Sequence, residues 1–140
     1  MKKNNRKLYG YQTTNRAKHN LKVHLILVCK YRKKLLKQGV ETNIKSIIRD
    51  IEAKSDFEII EMETDKDHIH LMIQYIPRIS ISAIVNRIKS ITTKRIWNLH
   101  QNYLRKHFWK EKTFWTDGYF VCSVGEASPE TIANYIKNQG

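Results

Sequence analysis

Acidic side chains are scarce in this chain: 13 Asp plus Glu stand against 26 Lys plus Arg over 140 residues, a net charge of +13. That imbalance favours a polyanionic partner, because neutralising phosphates releases their condensed counterions. The basic residues are spread along the chain and not gathered in one tail, which favours nucleic acid over mere solubility. Cysteine is nearly absent as well. Cys29 and Cys122 sit in apolar runs with no CxxC pair and no metal-finger spacing, so they read as small buried hydrophobes of a reducing cytoplasm. No stretch approaches the ~18 consecutive apolar residues of a membrane span. The basic start, Met1 to Lys7, leads into no apolar signal core. The expectation is a soluble, cytoplasmic protein with no membrane partner. With only two prolines and five glycines, nothing reads as a domain linker, and no internal repeat is present. A hydrophobic content of 41% is too high for a disordered tail, and the length suits one domain with a modest core.

Residues 1–20 are polar, basic and aperiodic, which predicts a flexible arm ahead of a single domain over 21–140. Leu21 to Cys29 is almost continuously apolar, interrupted only by Lys22 and His24, and predicts a strand near a sheet centre. The basic cluster Lys30-Tyr31-Arg32-Lys33-Lys34 follows. Ile44, Ile47, Ile48 and Ile51 recur at helical spacing within a predicted helix over Glu41 to Lys54. Phe57 to Glu63 and His68 to Ile76 read as strands around an Asp65-Lys66-Asp67 turn, the second stopped by Pro77. A long amphipathic helix starts near Ile81 and reaches about Leu99. Residues 100–113 are basic and aromatic without a clear period. Phe114 to Val124 is β-rich, with a turn or bulge at Asp117-Gly118. Ser128-Pro129-Glu130 is a helix start, with Ser as cap, Pro at the first position and an acid in the first turn. The order predicts an α+β fold: a ferredoxin-like, RRM-like βαββαβ sandwich with one antiparallel sheet, helices on one face, and a C-terminal helix carrying Tyr135.

Two short motifs carry chemistry. In a strand, side chains two apart share a face, so His68, His70, Met72 and Gln74 lie opposite Ile69, Leu71, Ile73 and Tyr75. With the isoleucine face packed on the helices, both imidazoles project from the open side as a partial chelate for a divalent metal. Taken alone, the pair better suits two surface histidines at a strand's start. Tyr135 and Gln139 are four apart and would stack on one helical face, beside a docking stripe of Ile132 and Ile136. Taken alone, they suit ordinary packing and an ordinary helix former. Together they suit phosphodiester attack. A tyrosine phenol, with a pKa near ~10, needs a nearby cation to become a nucleophile, a metal steadies the leaving oxygen, and the Gln139 carbonyl offers a third ligand without adding charge.

Asp67-His68-Ile69-His70-Leu71, the run Val23 to Arg32, the segment Trp115 to Gly125, and Tyr135-Ile136-Lys137-Asn138-Gln139 resemble the single-tyrosine HUH transposases, the small enzymes of insertion sequences that move as single-stranded DNA. The resemblance spans from about Leu21 to the end, and these motifs in this order are strongly specific. It implies His68 and His70 as metal ligands, Gln139 as the third, Mg²⁺ or Mn²⁺ as the ion, and Tyr135 as a nucleophile forming a 5′-phosphotyrosine and freeing a 3′-hydroxyl. It also implies single-stranded DNA with hairpin ends as substrate, a homodimer as the working form, and a place at the nucleoid of a prokaryotic cell. Gly140 follows Gln139 at once, whereas relatives usually continue the tyrosine helix for another turn, so a frayed last turn holding Gln139 loosely is expected.

For DNA contact, Lys30, Arg32, Arg87 and Lys94 are the candidate phosphate ligands. The mixed run Trp97, His100, Tyr103, Arg105, Lys106, His107, Phe108, Trp109 and Lys110 suits base stacking, and equally a partly buried helix end. Three other readings stay open. One is a nonenzymatic RNA-binding module of the same architecture, although its expected aromatic sheet motif is missing and histidines stand in those positions. Another is a domesticated relative that processes chromosomal hairpin repeats. The last is a replication-initiating or conjugative nuclease, which would generally be a larger chain.

Overall fold

The computed structural model describes residues 6–8, 11–13, 18–125 and 128–139. Three short strands come first: β1 (Arg6–Leu8), β2 (Tyr11–Thr13) and β3 (Lys18–His19). They pair antiparallel in the order β1-β2-β3. These lie within the segment whose sequence suggests only an arm. Backbone pairing needs no apolar alternation, so a hydrophobic pattern gives no sign of them.

The main body follows the predicted order: β4 (Leu21–Val28), α1 (Val40–Ala53), β5 (Glu58–Thr64), β6 (His68–Tyr75), α2 (Ile81–Leu99), α3 (Gln101–Arg105), β7 (Phe120–Ser123) and α4 (Pro129–Lys137). The second sheet has the order β5-β6-β4-β7, and every neighbouring pair is antiparallel. The fold is therefore α+β with the βαββαβ arrangement expected. Of the β-rich run from Phe114 to Val124, only Phe120–Ser123 is a strand. Upstream of it, Trp115 forms a single bridge to Cys29.

Alternation along the central strands decides which face is core. Val23, Leu25, Leu27 and Cys29 of the first, and Ile69, Leu71 and Ile73 of the second, point into one buried cluster with the α1 and α2 stripes. Each fully buried isoleucine or leucine there stabilises by roughly 2 kcal/mol. The helices form where caps and periodicity agree. Gly39 precedes α1 with φ of 92°, a conformation glycine adopts without a Cβ penalty, and Val40, Ile44, Ile47, Ile48 and Ile51 bury one side. Ser80 caps α2 by accepting from the Ala83 amide at 3.1 Å. Inside α2, Thr92 Oγ1 donates to the Ile88 carbonyl at 2.6 Å and accepts from Trp115 Nε1 at 2.9 Å. That link holds the 114–116 segment against the helix.

Trp97 and Phe108 are core residues, and the His100 ring bonds Asn43 at 2.7 Å. The aromatic run is thus mostly packing, and only Trp109, 78% exposed with Lys110 over its ring, is free to stack on a ligand. Cys29 is buried, its thiol pushed well above the ordinary range by desolvation, and Cys122 is half-buried; neither forms a disulfide among the described residues. Among the described residues no helix is long and apolar enough to cross a membrane.

Candidate functional site

The face of the sheet opposite the core carries the chemistry. Register sets His24, Ile26 and Val28 of β4 beside His68, His70 and Met72 of β6, and Phe120 and Cys122 of β7 beside Ile26 and His24. Both predicted metal histidines thus lie on this face, as the alternation required.

The end of β4 gathers the other parts. The Cys29 amide donates to the Asp67 carbonyl at 2.9 Å, tying the turn before His68 to this strand end. The Lys30 amide donates to the Phe114 carbonyl and the Thr116 amide to the Val28 carbonyl, each at 2.8 Å. The Lys-Tyr-Arg motif does not extend the strand. It forms a three-residue turn in which Tyr31 and Arg32 both take positive φ, 58° and 55°. Two consecutive non-glycine residues in that region cost about 1–3 kcal/mol each. The turn directs the Arg32 guanidinium to the Asp67 carboxylate at 3.6 Å and to the Lys137 carbonyl of α4 at 3.3 Å. Lys30 reaches the exposed Asp117 at 3.2 Å.

His68 is oriented by its neighbour. Its Nδ1 lies 2.9 Å from Asp67 Oδ1, and a carboxylate only accepts, so Nδ1 carries the proton and Nε2 keeps a lone pair for an ion. His70 has a different partner. Its Nε2 lies 2.7 Å from His24 Nδ1, with the rings stacked at 4.9 Å. Burial, and then the neighbouring His24, lower its pKa, which keeps it neutral and fit to ligate. Among the described residues no three His, Cys, Asp or Glu side chains converge to hold an ion. Imidazole nitrogens and an amide oxygen are donor types that Mg²⁺ or Mn²⁺ accepts.

Tyr135 comes onto the same face from α4. Its ring meets Phe120 at 5.5 Å, and Phe120, Ile26 and His70 form one rung across three strands. Two strand spacings separate Phe120 from His70, roughly 10 Å. The Tyr135 hydroxyl is buried and has no hydrogen-bond partner among the described residues. Burial raises its pKa. A buried unpaired hydroxyl is costly, and native proteins keep few of them.

Gln139 lies two residues past the end of α4, in a turn closed by its amide donating to the Ile136 carbonyl at 3.1 Å. The helix stops at Lys137, and Gly140 lies outside the described residues. The Gln139 side chain still reaches the sheet: Thr116 Oγ1 donates to its Oε1 at 3.3 Å. Thr116 bonds Val28, and Val28 pairs with His68, so the amide approaches the histidine end of the sheet.

Beside this face, α2 and the segment before β7 enclose an open cleft of about 810 Å³, lined in part by Lys89, Lys94, Lys112, Asn86 and Thr93. Lys89 Nζ donates to three successive carbonyls, Thr116 at 2.7 Å, Asp117 at 3.0 Å and Gly118 at 2.8 Å. The ammonium thereby holds the loop that touches both Gln139 and Tyr135, since a Cβ built on Gly118 would lie 3.8 Å from the Tyr135 hydroxyl. Of the predicted phosphate ligands, Lys30 and Arg32 cluster at the β4 end, Lys94 lines the cleft, and Arg87 lies apart, bonding Ser55 at 3.0 Å.

Comparison with known proteins decides the family. The family described as "Transposase IS200 like" matches residues 17–139. The chain belongs to the IS200-like transposases. It is 31% identical to the ISDra2 transposase TnpA of Deinococcus radiodurans over 121 residues, 86% of this chain and 85% of that one. It is 28% identical to the transposase for insertion sequence element IS200 of Salmonella typhimurium over 120 residues, 86% and 77% of the two chains. A crystal structure at 1.90 Å of a Deinococcus radiodurans protein assigned as a transposase superimposes with a TM-score of 0.83 at 28% identity, covering 91% of this chain and 96% of that one. Family membership makes this an enzyme of DNA transposition. Sequence reasoning assigned no role to His24, Asp67, Thr116 or Lys89. Only His24 left a signal, as a polar residue in an apolar strand with the same parity as Ile26 and Val28.

Proposed function

We propose that this IS200-like transposase cleaves and rejoins single-stranded DNA through a 5′-phosphotyrosine on Tyr135, with a divalent ion, Mg²⁺ or Mn²⁺, held by His68, His70 and Gln139. The observation that carries the reading is the buried, unpartnered Tyr135 hydroxyl on the histidine face of the sheet. Its oxygen gives up the phenol proton to solvent and attacks the phosphorus, the O–P bond to tyrosine forms, the P–O3′ bond breaks, and the 3′ oxygen takes up a proton to leave as a hydroxyl. When bound, the ion polarises the phosphate and steadies the leaving oxygen. Asp67 keeps His68 in the tautomer that ligates, and Arg32 ties Asp67 to the end of the tyrosine helix. Burial of the phenol excludes water, which would otherwise hydrolyse the linkage. The phosphotyrosine conserves the broken phosphodiester, so a free 3′-hydroxyl attacks it in reverse and reseals the strand without ATP.

The substrate is DNA with hairpin ends, bound by Lys30 and Arg32 at the β4 end and by Lys94 on the cleft wall, with Arg87 further off, and the working form is a homodimer. Incubation with hairpin oligonucleotides taken from DNA flanking the gene, with Mn²⁺ or Mg²⁺, followed by a denaturing gel, tests the chemistry. A metal-dependent covalent band that Tyr135→Phe abolishes is the expected result. Tight hairpin binding with no adduct in any condition would overturn it in favour of a binding module. Sedimentation of the protein alone and with DNA tests the dimer.

A further inference from the structure

The chain's three tryptophans divide unequally. Trp97 and Trp115 are core residues, 3% and 4% exposed, whereas Trp109 is 78% exposed. A single exposed ring is common on protein surfaces, but this one stands in a cluster of cations. Lys110 Nζ lies 4.9 Å from its ring centre. Lys33 Nζ lies 5.9 Å from the ring centre of the preceding residue, Phe108. Burial, and then the charges of Lys33, Lys37 and Lys106, lower the pKa of His107, so those three ammoniums are close to one ring. Four lysines from two distant parts of the chain thus converge around residues 107–109. Among the described residues none of the four forms an ion pair with a carboxylate.

The cluster stands on a fixed base. Leu35 and Leu36 are buried, the Tyr103 hydroxyl donates to the Leu35 carbonyl at 3.3 Å, and the Leu36 amide donates to the Lys66 carbonyl at 2.9 Å. The Lys33 and Lys37 stems therefore leave a pinned backbone. Arg32, one residue before Lys33, contacts Asp67 and the Lys137 carbonyl, so the cluster begins at the edge of the histidine site. Like charges held together repel, and a polyanion laid across them relieves that repulsion and releases its own counterions. We propose that Trp109, Lys33, Lys37, Lys106 and Lys110 form a further DNA site that takes unpaired nucleotides: a base stacks on the indole and the neighbouring phosphates meet the ammoniums. Base faces inside a duplex are covered by their neighbours, so the indole selects single strands, while the lysines alone would hold either form. The site rests on the family's action on DNA, and on neither the tyrosine chemistry nor a metal.

The test uses the full chain without added metal. Fluorescence anisotropy reads its affinity for a labelled, mixed-sequence single strand that cannot fold on itself, and for a blunt duplex of the same sequence. Trp109→Ala is expected to weaken single-strand binding by about 5–100-fold and to leave duplex binding nearly unchanged. Trp109→Phe keeps a stacking face and is expected to recover most of the loss. On a strand whose nucleotides lack their bases, Trp109→Ala is expected to cost nothing, because only phosphates remain to be bound. Joint replacement of Lys33, Lys37 and Lys106 by Gln is expected to reduce the single-strand slope of log affinity against log salt by about 2. Thermal melts of each variant report whether the fold is kept, and the Phe variant with the baseless strand stands if the Ala variant does not fold.

Unchanged single-strand affinity in Trp109→Ala, or an equal loss on strand, duplex and baseless strand, overturns the inference. So does an altered sedimentation coefficient of Trp109→Ala without DNA beside unaltered DNA affinity, which marks the ring as a contact between copies of the chain. The tyrosine reading is judged separately. A Trp109-dependent affinity in a protein that forms no covalent adduct upholds this site and removes that reading. An adduct on hairpin DNA beside unchanged affinity in Trp109→Ala upholds that reading and removes this site.

Discussion

Asp67 and His68 are adjacent in the chain, yet their side chains close a 2.9 Å bond that decides which imidazole nitrogen faces the open side of the sheet. The carboxylate also takes the Arg32 guanidinium at 3.6 Å, so one acid joins the histidine strand, the β4 turn and, through Arg32, the last helix. Asp67→Asn can present its amide in either sense and loses the charge. Mn²⁺ affinity is expected to fall about 10–100-fold, with the fold intact by circular dichroism. Wild-type affinity in this variant would show that the bond does not orient a ligand.

Tyr135 predicts opposite effects on stability and activity. Its hydroxyl is buried without a partner among the described residues, so Tyr135→Phe removes a desolvation cost and is expected to raise stability by about 1 kcal/mol, a Tm increase of roughly 2–4 °C. The same change is expected to abolish the covalent DNA adduct. A lower Tm, measured by calorimetry, would mean that the hydroxyl has a stabilising partner.

The pH dependence follows from the same burial. Desolvation holds the Tyr135 pKa above the ordinary tyrosine value, so the neutral phenol dominates at neutral pH. The phenolate fraction then grows tenfold per pH unit below that pKa. Adduct formation at saturating metal is expected to rise steadily from about pH 6 to 9, with slope near ~1 wherever deprotonation limits the rate. A rate that falls over this interval would exclude the phenolate as the attacking species.

Lys89 donates to three carbonyls in a row, and burial lowers its pKa. Lys89→Met keeps much of the packing and leaves those carbonyls without their cation. The expected cost is about 1–3 kcal/mol, read by urea unfolding. Because the freed loop carries Thr116 and Gly118, adduct formation is expected to fall more than hairpin binding does.

Thr92 sits fully buried between Ile88 and the Trp115 indole. Thr92→Val matches its shape but strands the Trp115 N–H, and a loss of about 1–3 kcal/mol is expected. An unchanged denaturation midpoint would mean that the indole finds another acceptor.

Salt separates the DNA-contact candidates. Lys94 is exposed on the cleft wall, and Lys94→Ala is expected to reduce the slope of log affinity against log salt by about 1. Arg87 bonds Ser55 away from that cleft, and Arg87→Ala is expected to change the slope less. Equal effects in a filter-binding series would extend the DNA path across both.

Much of the fold was legible because β6 alternates so cleanly. Ile69, Leu71 and Ile73 could only be core, which left His68 and His70 on the other face. The α1 and α2 stripes were equally plain, as was the Ser128-Pro129 start of α4. The short strands over residues 6–19 were not legible, since main-chain pairing there leaves no hydrophobic period. The partner of Gln139 was not legible either: the helix ends at Lys137, and Thr116, distant in sequence, receives the side chain.

By itself the sequence determined the local choices: strand or helix, the core face of each, and the presence of the His-x-His and Tyr-x-x-x-Gln pairs. These follow from periodicity, and periodicity is a property of neighbouring residues. Which histidine leans on which partner was decided only by the tertiary structure. His24 meets His70 through the β4–β6 register, and Tyr135 meets Phe120 by the docking of α4 on the open sheet face. Register and docking are set by the whole core closing at once, so no stretch of chain contains them.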